Sequence, residues 1–324
     1  MSDEERRFFT ASDPLGFILF ARNIESPDQV RALTAALRDT VGRDAPILID
    51  QEGGRVRRLR PPQWRDAPAM LPFGVLHARD PEAAVRALRL NIGLMAVELR
   101  GLGVDVDCAP VLDVPAPGAH DIIGDRAFSN DPAVVAALGR VVMEAFLENG
   151  VYPVIKHIPG HGRAMADSHF DLPVVDASRA DLEARDFVPF RALADAPFAM
   201  TAHIVYTALD AARPATTSPT VIRDVIRDAL GFDGLLMTDD LSMKALTGRF
   251  EDRASDSLAA GCDLVLHCNG VMEEMRAVIA GCRPLDAAAQ ARWARVQTQR
   301  AATLPVLDVA EAEAELAHLL TGRG

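Results

Sequence analysis

The stretch Lys156-His157-Ile158-Pro159-Gly160-His161-Gly162, followed by Asp167-Ser168-His169, puts a lysine, three histidines and an aspartate within fourteen residues. An imidazole, with a reference pKa near ~6.5, gives and takes protons close to neutral pH. A carboxylate two residues away can accept the second ring N–H and fix the tautomer. The tripeptide Thr238-Asp239-Asp240 supplies a second carboxylate at the end of another apolar run. A proton-transferring group and a rigidly held carboxylate are what cleavage of a glycosidic bond requires. In that chemistry Asp239 is the expected nucleophile, His169 the acid/base and Asp167 its partner. Asp240 is expected to bind backbone at the start of the following segment. Lys156 needs a carboxylate or substrate hydroxyls if it is buried. It and His157 should point to opposite faces as long as the strand persists. Asp50 can accept two sugar hydroxyls, and Arg58 and Arg126 offer forked donors. A metal centre built from His157, His161, His169, His203 and Asp239 is the competing reading. The sequence has neither a His-x-His at an early strand end nor a His-Glu-x-x-His, so no metal is expected.

These groups need rigid elements to hold them. Seven apolar, strand-like runs are expected at 16–21, 47–50, 104–109, 151–156, 198–203, 235–239 and 264–267. Helices are expected at 27–41, 81–102, 132–148 and 219–230, each opened by Ser or Asp followed by Pro. A short helix should cover 2–12, and two more 286–302 and 310–320. Strands apolar on both faces and separated by helices predict a parallel sheet covered by helices. No Gly-rich turn follows the first strand, which argues against a dinucleotide-binding sheet. Polar residues close nearly every strand, from Arg22-Asn23 and Asp50 to His203, Asp239 and Asn269, and that convergence predicts a (β/α)8 TIM-type barrel. Seven strands fall one short, so the first strand is expected to be missing at the N-terminus, through an incomplete barrel or a gene start placed too late.

The 324 residues, 49% hydrophobic and 25% charged, fit one large catalytic domain over 1–324. A net charge of −12 without a basic run gives nucleic-acid binding no support. The four cysteines, Cys108, Cys262, Cys268 and Cys282, are scattered and are expected as free thiols. The charged N-terminus lacks an apolar signal segment, and no apolar run reaches membrane-spanning length. A cytoplasmic monomer without membrane partners is expected.

The same residues resemble glycoside hydrolase family 3, specifically its bacterial β-N-acetylhexosaminidases, over nearly the whole chain. The carriers are Gly16-Phe-Ile-Leu-Phe-Ala-Arg-Asn23, Asp50-Gln-Glu-Gly-Gly-Arg-Val56, Ala109-Pro-Val-Leu-Asp-Val114 and Gly124-Asp-Arg-Ala-Phe-Ser129. Lys156-His-Ile-Pro-Gly-His-Gly162, Asp167-Ser-His169, Thr201-Ala-His203 and Thr238-Asp-Asp-Leu-Ser-Met243 complete the set. The resemblance implies Asp239 as nucleophile, His169 as acid/base assisted by Asp167, and sugar binding by Asp50, Arg58, Arg126, Lys156 and His157. It implies a retaining mechanism through a covalent glycosyl-enzyme, with no metal or organic cofactor. The implied substrates are cell-wall fragments carrying non-reducing N-acetylglucosamine on 1,6-anhydro-N-acetylmuramic acid and its peptides. Ile158 and Ala127 depart from the family's usual Phe and Ser.

Overall fold

A computed structural model describes residues 1–165, 168, 171–301 and 303–322. The chain divides into two compact units. One comprises Met1–Ala109, Val141–Pro153 and Arg300–Gly324, and the other Pro110–Arg140 and Val154–Gln299.

All seven expected strands form. They are β1 (Phe17–Leu19), β2 (Ile47–Ile49), β3 (Val106–Asp107), β4 (Tyr152–Ile158), β5 (Phe198–Thr201), β6 (Leu235–Asp240) and β7 (Leu264–Leu266). Every pairing between them is parallel, in sequence order. The closed eight-stranded barrel is not what forms. Among the described residues the sheet has seven strands, with β1 and β7 at its two ends and no ladder between those ends.

In the first unit β1, β2 and β3 pair through Phe17↔Ile47 and Leu48↔Val106. Two aspartates hold the strand ends: Asp105 Oδ1 accepts from the Ile47 N–H at 2.7 Å, and Asp107 Oδ1 from the Gln51 N–H at 3.0 Å. The Ser/Asp-Pro openings work as helix starts. Ser26 Oγ accepts from Gln29 N–H for the helix Pro27–Val41, and Asp80 Oδ1 from Ala83 N–H for Pro81–Gly101. Each satisfies an otherwise orphaned donor of the first turn. The first of these helices buries Val30, Thr34 and Leu37, one stripe at helical spacing. Among the described residues no helix is long and apolar enough to cross a membrane.

The second unit holds β4 from Val154 onward, with β5, β6 and β7. Two of these strands break register near their ends. Lys156 pairs with Met200 and Ile158 with Thr201, so His157 is an extra residue in the ladder. Met237 pairs with Leu264 and Asp240 with Leu266, so one extra residue also lies before Asp240. Such bulges turn side chains away from strict alternation and are common beside active sites. The segment expected as the helix 219–230 is a π-helical turn, Val221–Ala229, opened by Ser218 Oγ on Val221 N–H. Helices at Phe250–Ala260 and Met272–Ala280 pack together with Val265 of β7 around Leu241, Leu246, Ala254 and Val278, and have no counterpart in the sequence reading.

The base of β6 is held by a buried carboxylate. Asp263 accepts from Arg227 Nη2 at 2.8 Å, Arg292 Nη1 at 2.9 Å and the Leu236 N–H at 2.9 Å. Asp263→Ala removes the anion that Arg227 and Arg292 share and strands the Leu236 N–H, leaving Arg292 with Asp233 and Arg227 with the carbonyls of Phe232 and Gly234. It should destabilise the protein by about 3–5 kcal/mol, read as a lower urea midpoint at unchanged slope. All four cysteines are free, as expected.

Candidate active site

Asp239 sits one residue from the end of β6 and is partly buried. Its Oδ1 accepts from the Asp240 N–H at 2.8 Å, which fixes the plane of the carboxylate. Burial by itself would raise this carboxyl. The opposing charge of His157, then His203, the Asp240 N–H and Lys156 outweigh it, and the group is held below the usual carboxylate range. Asp239 is thus an ionised carboxylate kept in place by one short local hydrogen bond, a fitting state for a nucleophile.

Asp240 is engaged elsewhere, as its backbone-binding expectation had it. Its carboxylate accepts from Ser242 N–H at 2.9 Å, Cys268 N–H at 3.0 Å and the Ser242 hydroxyl. Its carbonyl accepts from His203 Nε2 at 3.1 Å. His203 Nδ1 lies 2.7 Å from Thr216 Oγ1, which lies 2.8 Å from Thr201 Oγ1. Because the carbonyl can only accept, His203 carries a hydrogen on Nε2. Burial lowers the His203 pKa against the pull of Asp239.

Lys156 and His157 are buried at the end of β4, 2% and 7% exposed. Lys156 is gripped through its backbone: its N–H donates to Pro110 O, and its carbonyl accepts from Leu112 N–H. His157 Nδ1 lies 2.7 Å from Oδ2 of Asp113, a carboxylate with no exposed surface. Asp113 Oδ1 also takes the N–H groups of His157 at 3.2 Å and His161 at 2.6 Å. Burial would raise the Asp113 carboxyl, yet His157 and His161 bring it down to about 2. His161 moves down to about 4, first through burial and then through His157. Its Nε2 reaches Ser168 Oγ at 3.3 Å, while the Ser168 carbonyl accepts from Ala245 N–H at 3.2 Å. Gly162 has to be glycine, because a Cβ there would lie 2.0 Å from the Val114 carbonyl oxygen.

Arg126 closes a 3₁₀ turn, Gly124–Arg126, and its Nη1 donates to Ile122 O at 3.2 Å. The flanking Ile123 and Ala127 pack on Val111, which bridges to Lys156. This packing ties the Arg126 turn to the end of β4. Asp167 and His169 lie outside the described residues.

Asp50 and Arg58 belong to the first unit. A short hairpin, Gln51–Gly53 with Val56–Arg57, turns at Gly53 and Gly54, both at positive φ, where glycine carries no steric cost. It returns Arg58 Nη2 to 2.7 Å from Asp50 Oδ2. The guanidinium lies over the Phe20 ring at 4.8 Å. Arg58 Nε is buried with no hydrogen-bond partner among the described residues.

Residues 1–299 match the family model described as Glycosyl hydrolase family 3 N terminal domain. A Beta-hexosaminidase of Alkalilimnicola ehrlichii is 44% identical over 275 residues, 83% of this chain and 78% of the relative. One of Thiobacillus denitrificans is 39% identical over 336 residues, 100% of this chain and 91% of the relative. Among solved structures, NagZ from Neisseria gonorrhoeae in complex with N-trifluoroacetyl-D-glucosamine aligns with a TM-score of 0.88 and 31% identity. That alignment covers 99% of this chain and 95% of the other.

Proposed function

The chain belongs to glycosyl hydrolase family 3, and we propose that it works as a retaining, exo-acting β-N-acetylglucosaminidase. Membership, with relatives named Beta-hexosaminidase near 40% identity, makes it a glycoside hydrolase of the β-N-acetylhexosaminidase kind. The observation that carries the finer reading is Asp239: a carboxylate at a bulged strand end, one oxygen tied to the next backbone N–H and its pKa held down chiefly by His157. In this reading Asp239 attacks the anomeric carbon. A bond forms from its carboxylate oxygen to that carbon as the bond to the leaving oxygen breaks, and His169 delivers the proton that the leaving oxygen takes. Asp167 steadies the imidazolium. Water, deprotonated by the same histidine, then releases the sugar with its original configuration. Lys156, His157 and Arg126 are the sugar-hydroxyl ligands of the second unit in this reading, and in the first unit Asp50 and Arg58 offer a sugar one acceptor and one forked donor.

The proposed substrates are muropeptide fragments: N-acetylglucosamine on 1,6-anhydro-N-acetylmuramic acid, with or without peptide, in cytoplasmic cell-wall recycling. The N-acetylglucosamine analogue in the similar Neisseria structure supports the sugar. Product analysis in phosphate buffer tests the reaction class. Free N-acetylglucosamine in the β form as first product is the expected result. Accumulation of N-acetylglucosamine 1-phosphate would replace hydrolysis with phosphorolysis.

A further inference from the structure

We propose that Asp113 is a positioning residue of this catalytic centre. Its buried carboxylate holds the His157 ring with Nδ1–H turned inward, so that the ring can carry its charge beside Asp239. The proposal rests on the glycosidase reading above for its kinetic arm, and on geometry alone for its spectroscopic arm.

An ionised carboxylate only accepts, so the 2.7 Å contact between Asp113 Oδ2 and His157 Nδ1 requires the hydrogen on Nδ1. The other carboxylate oxygen takes two backbone N–H groups, from His157 and from His161, and this locks the carboxylate plane. Asp113 therefore grips His157 twice, by ring and by backbone, at the residue that the β4 bulge inserts. A fully buried carboxylate without a partner would be strongly unfavourable, so the pair is held together from both sides.

The charges around the two carboxylates identify the ring that matters. The fields of His157, His203 and Lys156 act on the Asp239 carboxylate. Asp113 faces His157 and His161, with the Tyr206 hydroxyl donating to Gly160 O nearby. The Asp240 carboxylate is engaged by Ser242 and Cys268. Burial keeps His161 and His203 toward their neutral forms. Of these rings, His157 is the one whose Nδ1 is held directly by a carboxylate. His157 touches the first carboxylate and acts on the second, and so couples a residue outside the reaction to the nucleophile.

Asp113→Asn separates this role from simple packing. Asn keeps an oxygen for the two backbone N–H groups and turns its NH2 toward His157 Nδ1. That nitrogen must then be bare, and the ring neutral. With the cation gone from its side, Asp239 becomes harder to ionise. The acidic limb of the kcat/KM profile on 4-nitrophenyl N-acetyl-β-D-glucosaminide should move up by about one pH unit. Side-chain nitrogen shifts of ¹⁵N-histidine-labelled protein should show Nδ1 of His157 protonated in the wild type and bare in the variant, with His157→Gln used to assign the signal. A bare Nδ1 in the wild type overturns the proposal, as does a folded Asp113→Asn enzyme whose acidic limb stays in place. If the variant does not fold, the wild-type nitrogen shifts decide alone. If the wild type cleaves no glycoside, the functional reading fails and those same shifts still decide the Asp113–His157 pair.

Discussion

Asp239→Ala should lower kcat on 4-nitrophenyl N-acetyl-β-D-glucosaminide by on the order of 10⁴-fold, with the thermal transition little changed. The carboxylate contributes one hydrogen bond to its own backbone neighbour, and the β6 ladder does not depend on it. Its loss therefore removes chemistry rather than architecture. Removing this partly buried carboxylate also removes the attraction it offers His157, His203 and Lys156. The small stability change should be fully present at neutral pH and should fade as the pH falls through the lowered Asp239 pKa, where the wild type loses the same charge. Melting curves beside steady-state kinetics check both halves. Turnover within tenfold of wild type would remove Asp239 from the nucleophile role.

The second large effect concerns His169. His169→Ala should lower kcat/KM by about 10²–10⁴-fold for a disaccharide or alkyl glycoside, whose leaving oxygen needs a proton. It should lower it far less for 2,4-dinitrophenyl N-acetyl-β-D-glucosaminide, whose leaving group departs as a stable anion. The contrast between leaving groups is the diagnostic, since a general loss of structure would slow both equally. Azide, a small anionic nucleophile, should restore turnover of the activated glycoside by attacking the glycosyl-enzyme without help from a base. Equal loss on both substrates would assign the proton transfer to another group.

The elements that carry these groups were legible because their signals are local. Ser26, Asp80, Asp131 and Ser218, each followed by proline, mark four starts, and the structure shows each side chain bonded into the turn that follows. The seven apolar runs are strands because buried parallel strands need continuous β-branched and aliphatic residues. The count of seven is a local fact too, while closure into a barrel depends on pairing between distant ends. The helices Phe250–Ala260 and Met272–Ala280 begin without a side-chain cap, so the usual opening signal was absent.

The site was legible in its residues and not in its wiring. Asp239, Lys156 and His157 stand out as charged groups closing apolar runs. Asp113 stood inside the quoted segment Ala109–Val114 without a role. A lone aspartate in so apolar a stretch signals a buried charge, and such a charge needs a partner. That the partner is His157, forty-four residues on, follows only from the β4 bulge and the loop after β3. The bulges at His157 and before Asp240 were invisible because register belongs to a pair of strands. The Asp50–Arg58 pair was nearer to hand, since the double glycine between them returns the chain within eight residues.

The most direct test is to trap the intermediate. The enzyme is quenched during turnover of an N-acetylglucosaminyl fluoride bearing a second fluorine that slows deglycosylation, then digested and its peptides weighed. One sugar, ester-linked on the peptide that carries Asp239 and absent from Asp239→Ala, is the predicted result. A sugar on another carboxylate, or rapid turnover whose first product has the α configuration, would contradict the account.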